Sequence, residues 1–132
     1  MKISIITVTF NAEHFLENCI NSVLQQNYPH IEYIVVDGLS TDGTKDILKG
    51  YSDRISRVIS EKDKGMYDAL NKGIAMATGD VVGLLNADDF FASNDVVSKI
   101  AEAFTANKAD ILYGDLWYVD QQDTEKPLRK WR

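Results

Sequence analysis

Apolar positions along the 132-residue chain alternate between short β-rich runs and stretches with helical spacing. Ile3, Ile5, Ile6 and Val8 predict a first strand that ends near Thr9 and Phe10. Phe15, Cys19 and Val23, beside Leu16, Ile20 and Leu24, recur at every fourth residue and so share one helical face. Asn27 and Pro29 stop that helix. Ile31 and the run Tyr33 to Val36 predict a second strand ending at Asp37-Gly38, after which Ser40 to Thr44 supply N-cap hydroxyls for a short helix through Ile47 and Leu48, stopped by Gly50. Ile55, Val58 and Ile59 predict a third strand, and Met66, Leu70 and Ile74 a helical stripe closed by Gly79-Asp80. Val81, Val82, Leu84 and Leu85 form a near-continuous apolar run, the pattern of a strand buried on both faces. A helix capped by Ser93 carries Val97, Ile100 and Phe104, and Ile111 to Tyr113 give a last strand before Gly114-Asp115. Strand and helix alternate with short connections, which predicts an α/β fold with a mostly parallel sheet flanked by helices.

Composition narrows the class. A chain of this length suits one domain, and 45% apolar with 26% charged residues is ordinary globular usage. The net charge of −6 argues against a nucleic-acid groove, which needs a basic footprint. Cys19 is the single cysteine, so an internal disulfide or a Cys-rich metal site is excluded, and a reducing, cytoplasmic setting is expected. No apolar run approaches the roughly 18–20 residues of a membrane span. The segment Gln121 to Arg132 is polar and basic and, taken alone, reads as a solvated tail.

In open α/β sheets ligands bind beyond the carboxyl ends of the strands. Those ends here carry Thr7, Thr9 and Asn11, then Asp37, then Asp63 in the turn after the third strand, then Asn86, Asp88 and Asp89. Adjacent carboxylates at the edge of an apolar sheet repel, and a divalent cation that prefers oxygen relieves the conflict. The competing reading is a solvated acidic turn that caps the Ser93 helix. No P-loop, G-x-G-x-x-G or G-x-S-x-G motif occurs. His14 and His30 are too few for a His-rich metal site and read as surface residues, and Cys19 reads as core.

Ile5-Ile6-Thr7-Val8-Thr9-Phe10-Asn11, Val35-Val36-Asp37-Gly38-Leu39-Ser40-Thr41-Asp42-Gly43-Thr44 and Leu84-Leu85-Asn86-Ala87-Asp88-Asp89 resemble the ordered motifs of family 2 glycosyltransferases. Ser60 to Gly73 resembles a form common among bacterial polysaccharide-building members. The resemblance implies the Rossmann-like GT-A fold over residues 1–120, incomplete at the C-terminus, with 121–132 a tail or the start of the acceptor half. It implies an inverting enzyme using a nucleotide-sugar, a UDP-sugar foremost, and a saccharide or lipid-linked acceptor. Asp37 would accept the imide N–H of uracil, and Thr7, Thr9 and Asn11 would line the base and ribose pocket. Asp63, Asp68, Asn71 and Lys72 would surround the ribose, diphosphate or donor sugar. Asp88 and Asp89 would hold ribose and a Mn²⁺ or Mg²⁺ ion that bridges the diphosphate. Asn86 replaces the first acid of the family's D-x-D element.

The family's general base lies later than Asp115, Asp120 and Asp123, so it is expected beyond Arg132, and the chain by itself is expected to bind donor without transferring it. Peripheral membrane association and self-association through an uncovered apolar face are further expectations. A non-catalytic sugar-nucleotide-binding module and a nucleotidyltransferase are the alternatives; the latter wants a Gly- and Arg-rich loop where Asn11-Ala12-Glu13 stands.

Overall fold

A computed structural model of the chain describes residues 1–107, 116–119 and 127–131. It forms two units, Met1–Ala101 and Glu102–Arg132. The first contains β1 (Ile3–Thr9), α1 (Leu16–Leu24), β2 (Ile31–Asp37), α2 (Thr44–Tyr51), β3 (Arg57–Ser60), α3 (Met66–Met76), β4 (Val81–Leu84) and the start of α4 (Val96–Asn107). Its four strands are parallel in the order β3-β2-β1-β4. β1 therefore has its sequence successor β2 on one side and β4 on the other, which puts a topological switch point between β1 and β4. In the second unit β5 (Leu116–Val119) and β6 (Pro127–Trp131) pair antiparallel, with a register irregularity at Tyr118/Val119. Part of the expected basic tail is thus a strand. The strand expected at Ile111 to Tyr113, and Asp115, Asp120 and Asp123, lie outside the described residues.

Alternation along β1 and β2 builds two cores. Ile3, Ile5, Tyr33 and Val35 face Leu16, Cys19, Ile20, Val23, Leu48, Val97 and Ala101. Ile6, Ile34 and Val36 face Ala69 of α3 on the other side of the sheet. The α3 stripe differs from the expected one: Met66 and Ile74 are 54% and 46% exposed, while Ala69 and Gly73 are buried. Small residues let α3 approach the sheet closely. A Cβ added at Gly73 would lie 2.6 Å from Cγ2 of Ile6, so the stripe with the least side-chain volume won the contact over the stripe with the most apolar area.

β4 also departs from expectation. Val82 and Leu84 are 42% and 57% exposed, so one face is open and only the other, with Val81 against the core, is half-buried. Among the described strands β4 is an edge, and α3 packs over β1 and β2 rather than over it. Helix α2 runs through Gly50 to Tyr51, because an exposed helical glycine costs only about 1 kcal/mol and does not by itself terminate a turn. The cap of α4 comes from far away. Ser93 Oγ donates to Asp95 Oδ1, whereas the backbone N–H of Val97 donates to Gln26 Oε1 at 2.9 Å.

At the amino end of the sheet, Glu32 of β2 fastens the loop between α3 and β4. It accepts from Thr78 N–H and Ser4 Oγ, each at 2.8 Å, and from Thr78 Oγ1 at 2.9 Å, with Lys2 Nζ at 3.5 Å. These donors, the Thr78 amide foremost, hold its carboxyl at about 2 against an ordinary 4.5. A depressed value means that this stability is complete above the ordinary value and fades as pH falls toward the folded one. Glu32→Gln is expected to cost about 1.5–3 kcal/mol at neutral pH. Thermal melts between pH 7 and 3 check this: the wild type should lose its advantage over the variant on acidification, and parallel profiles would contradict it.

Candidate functional site

The carboxyl ends of β1, β2 and β4, with the turn after β3, bring most of the expected site residues to one rim, but local hydrogen bonding sorts them into two groups. The first group is committed to holding the loops. Asp37, at the end of β2, has no exposed surface. Its Oδ1 accepts from Ser40 Oγ at 2.5 Å, and its Oδ2 accepts from Ser40 N–H at 3.1 Å and Ser60 Oγ at 2.7 Å. Asn11 adopts a left-handed backbone (φ 49°), and its Oδ1 accepts from the N–H groups of Thr41 and Asp42 at 2.8 and 3.3 Å. Ser40 and Thr44 were expected to cap α2. Their hydroxyls instead accept from the N–H groups of Asn11 and Ala12 at 2.8 and 3.0 Å. The N-terminal amides of α2 go to carboxylates: Gly43 N–H to Glu13 Oε2 at 3.0 Å and Thr44 N–H to Asp42 Oδ1 at 2.9 Å. The loops after β1 and β2 are therefore one cross-linked unit.

Thr7 is likewise fully buried. Its hydroxyl lies 2.9 Å from Tyr33 Oη and 3.5 Å from Cys19 Sγ. Burial pushes both the Tyr33 phenol and the Cys19 thiol up, which keeps them protonated.

The second group faces the rim. Thr9 is buried and its Oγ1 has no hydrogen-bond partner among the described residues, while its carbonyl accepts from Gly38 N–H at 3.0 Å. A buried hydroxyl is rarely left unpaired. Asp63 is half-buried. Its Oδ1 accepts from Gly65 N–H at 3.0 Å, and its Oδ2 lies 2.8 Å from where a Gly38 Cβ would stand. A side chain at residue 38 would displace that carboxylate. Asp68 and Lys72 brace the same turn: Asp68 Oδ2 accepts from Lys64 N–H at 2.9 Å, and Lys72 Nζ donates to Lys62 O and pairs with Glu61, each at 3.1 Å. Asn71 is exposed on α3.

Leu85 and Ala87 are buried in the α1 core, so the intervening Asn86 and the following Asp88 point outward. Asn86 O accepts from Asp89 N–H at 2.9 Å, which closes the turn. Burial, and then the charge of Asp88 beside it, push the Asp89 carboxyl above the ordinary carboxylate range. Neither carboxylate has a hydrogen-bond or ion-pair partner among the described residues. No cluster of three or more His, Cys, Asp and Glu forms there either. Two unrelieved carboxylates fit a Mg²⁺-type ion, which is commonly held by one or two acids plus substrate phosphates.

The sequence did not single out Ser60, Gly38 or the Thr7–Cys19–Tyr33 group as site-building. Gly38 and Ser60 lie within the quoted motif segments and Thr7 was read as pocket lining, but nothing in the sequence pointed to Cys19 and Tyr33. Among the described residues no helix is long and apolar enough to cross a membrane.

The chain is similar in sequence and in fold to known proteins. TuaG of Bacillus subtilis (strain 168), a glycosyltransferase whose name places it in teichuronic acid biosynthesis, is 43% identical over 90 residues, 66% of this chain and 36% of its own length. A PGL/p-HBAD biosynthesis glycosyltransferase of Mycobacterium bovis (strain BCG / Pasteur 1173P2) is 33% identical over 117 residues, 86% of this chain and 46% of its own. The chain thus spans less than half of each of these relatives. The crystal structure of S. aureus TarS 1-349 in complex with UDP-GlcNAc matches with a TM-score of 0.75 and 26% identity, covering 83% of this chain and 33% of that one. The mannosyltransferase PcManGT from Pyrobaculum calidifontis, in complex with GDP-Man and Mn²⁺, matches with a TM-score of 0.71 and 25% identity over 94% of this chain and 37% of that one. The four-stranded parallel sheet is the GT-A, Rossmann-like architecture of such neighbours. The family model for glycosyl transferase family 2 matches residues 4–132, and the chain belongs to that family.

Proposed function

We propose that the chain forms the donor-binding part of a metal-assisted glycosyltransferase that moves a sugar from a UDP-sugar to a saccharide or lipid-linked acceptor with inversion. The observation that carries this reading is the polar rim at the carboxyl ends of the parallel strands: the buried Thr9 hydroxyl after β1, without a partner among the described residues, the Asp63 carboxylate beside Gly38 at the end of β2, and Asp88 and Asp89 after β4. A flat base needs an apolar slot with one polar anchor, and a diphosphate needs local positive charge.

The roles follow from which groups are uncommitted. Asp63 Oδ2 supplies the anchor for the imide N–H of uracil. Asp37, with no exposed surface and three donors, orders the loops that frame the slot. Asn11 acts in the same way through Thr41 and Asp42, and Thr7 acts from beneath. Thr9 presents its hydroxyl to the nucleotide, and Asn71 and Asn86 line the rim toward the ribose or donor sugar. Lys72 and Asp68 stiffen the Glu61–Gly65 turn that carries Asp63. Asp88 and Asp89 hold the metal, which when bound supplies Lewis-acid stabilisation of the departing diphosphate. The acceptor side of the reaction is not assigned to the described residues.

Calorimetry with UDP and CDP in Mn²⁺ tests the reading. UDP is expected to bind at least about tenfold more tightly than CDP, and Asp63→Asn to remove most of that preference, since a hydrogen bond to a charged group contributes about 1.5–3 kcal/mol. A chain that binds no nucleoside diphosphate in Mn²⁺ would overturn it.

A further inference from the structure

Under the acidic turn lies a polar group that the donor site does not use. Cys19 of α1 is completely buried, and its Sγ–H donates to the carbonyl oxygen of Asn86 at 3.5 Å. That carbonyl is the same atom that accepts Asp89 N–H. Behind the sulfur stand Thr7 Oγ1 at 3.5 Å and Tyr33 Oη at 3.7 Å, themselves 2.9 Å apart. Proton bookkeeping gives this group a direction. The Asn86 carbonyl can only accept, so the single thiol proton points at it. The two hydroxyls then satisfy each other and the sulfur. The chain of contacts runs from β2 through β1 and α1 to the one carbonyl that closes the Asn86–Asp89 turn.

We infer that Cys19 is a positioning residue: its thiol, backed by Thr7 and Tyr33, fixes the Asn86 carbonyl and so sets the spacing and orientation of Asp88 and Asp89 for a divalent cation and a nucleoside diphosphate. A sulfur is suited to this place. It is bulky enough to fill the packing between Leu16, Ile20 and Val35, and it still carries one donor. Valine fills the place with two methyl groups, one heavy atom more than cysteine, and loses the donor. Serine keeps the donor on a smaller atom.

The inference rests on the reading of Asp88 and Asp89 as metal ligands, so two measurements separate the failure of one from the failure of the other. The first is the gain in UDP affinity on adding Mn²⁺, measured by calorimetry on the 132-residue chain. Cys19→Val is expected to reduce that gain about tenfold, the equivalent of one lost hydrogen bond, and Cys19→Ser to restore most of it. The second is amide hydrogen exchange at Asp89, without metal or nucleotide. Protection there should fall in Cys19→Val and hold in Cys19→Ser, while protection in β2 is unchanged in both. If the wild type shows no Mn²⁺-dependent gain, the metal reading fails and the exchange result alone decides whether the thiol holds the turn. Should Cys19→Val not fold, Thr7→Val, which removes the group behind the sulfur, serves in its place. Asp89 protection and Mn²⁺ dependence both unaltered in the folded variant would overturn the inference.

Discussion

Replacing Asp89 by alanine should remove the dependence of UDP binding on Mn²⁺. The wild type brings two carboxylates together with no cationic side chain paired to them among the described residues, and burial, then the charge of Asp88, lifts the Asp89 carboxyl. An ion with oxygen preference gains most where such a conflict is stored. Saturating UDP and Mn²⁺ at about 100 times the dissociation constant should stabilise the wild type by about 2.7 kcal/mol. For a domain of this size that is a rise of several degrees in Tm. In Asp89→Ala the rise should vanish, and calorimetry should show UDP weakened by about a hundredfold, the loss of a charge-assisted contact of nearly 3 kcal/mol. Asp88→Asn should fall between the two, since an amide oxygen still ligates. Equal UDP affinity with and without Mn²⁺ in the wild type would remove the metal from the reading altogether.

Asp37→Ala is expected to damage the fold before it affects the ligand. The carboxylate takes the N–H and the hydroxyl of Ser40, a residue only 3% exposed, and the hydroxyl of Ser60. Ser60 can turn to water, but the two Ser40 donors stay buried. Each unsatisfied buried donor costs about 1–3 kcal/mol, so a loss of about 2–6 kcal/mol is expected for the two, a large share of the 5–15 kcal/mol typical of a domain. Asp37→Asn keeps one acceptor oxygen and should recover part of the loss. Urea denaturation of the three proteins measures this directly. An Asp37→Ala chain of unchanged stability that has nevertheless lost UDP binding would return Asp37 to the base-contacting role that the family resemblance implies.

The contrast between Asp37 and Asp63 shows how far residue patterns reach. Both are acids at the carboxyl end of a strand or just beyond it, and nothing in their neighbours along the chain tells them apart. Their difference lies in partners 3 and 23 residues away from Asp37, and in the bare backbone of Gly38 that lets Asp63 come close. Asn11 is the same kind of case. Its polar side chain reads as pocket lining, yet its oxygen is occupied by amides 30 and 31 residues further on. The α3 stripe differs from its apolar spacing for another reason. Hydrophobic spacing ranks faces by apolar area, whereas contact with a sheet also rewards the face that lets backbone approach backbone, here through Ala69 and Gly73.

Within Met1–Ala101, periodicity and turn residues by themselves determined the order of strands and helices, the parallel class of the sheet and the rim on which the polar residues gather; the antiparallel pairing of β5 with β6 was not legible in them. Those features follow from local preferences and from the rule that strands joined by helical crossovers run parallel. Tertiary structure alone decided which rim groups are spent on holding loops together and which remain uncommitted. It also decided that β4 leaves one face open and the other only half-buried, and that the acidic turn rests on a thiol 67 residues earlier in the chain. Hydrogen-bond pairing across such separations depends on distances that exist only once the sheet has assembled.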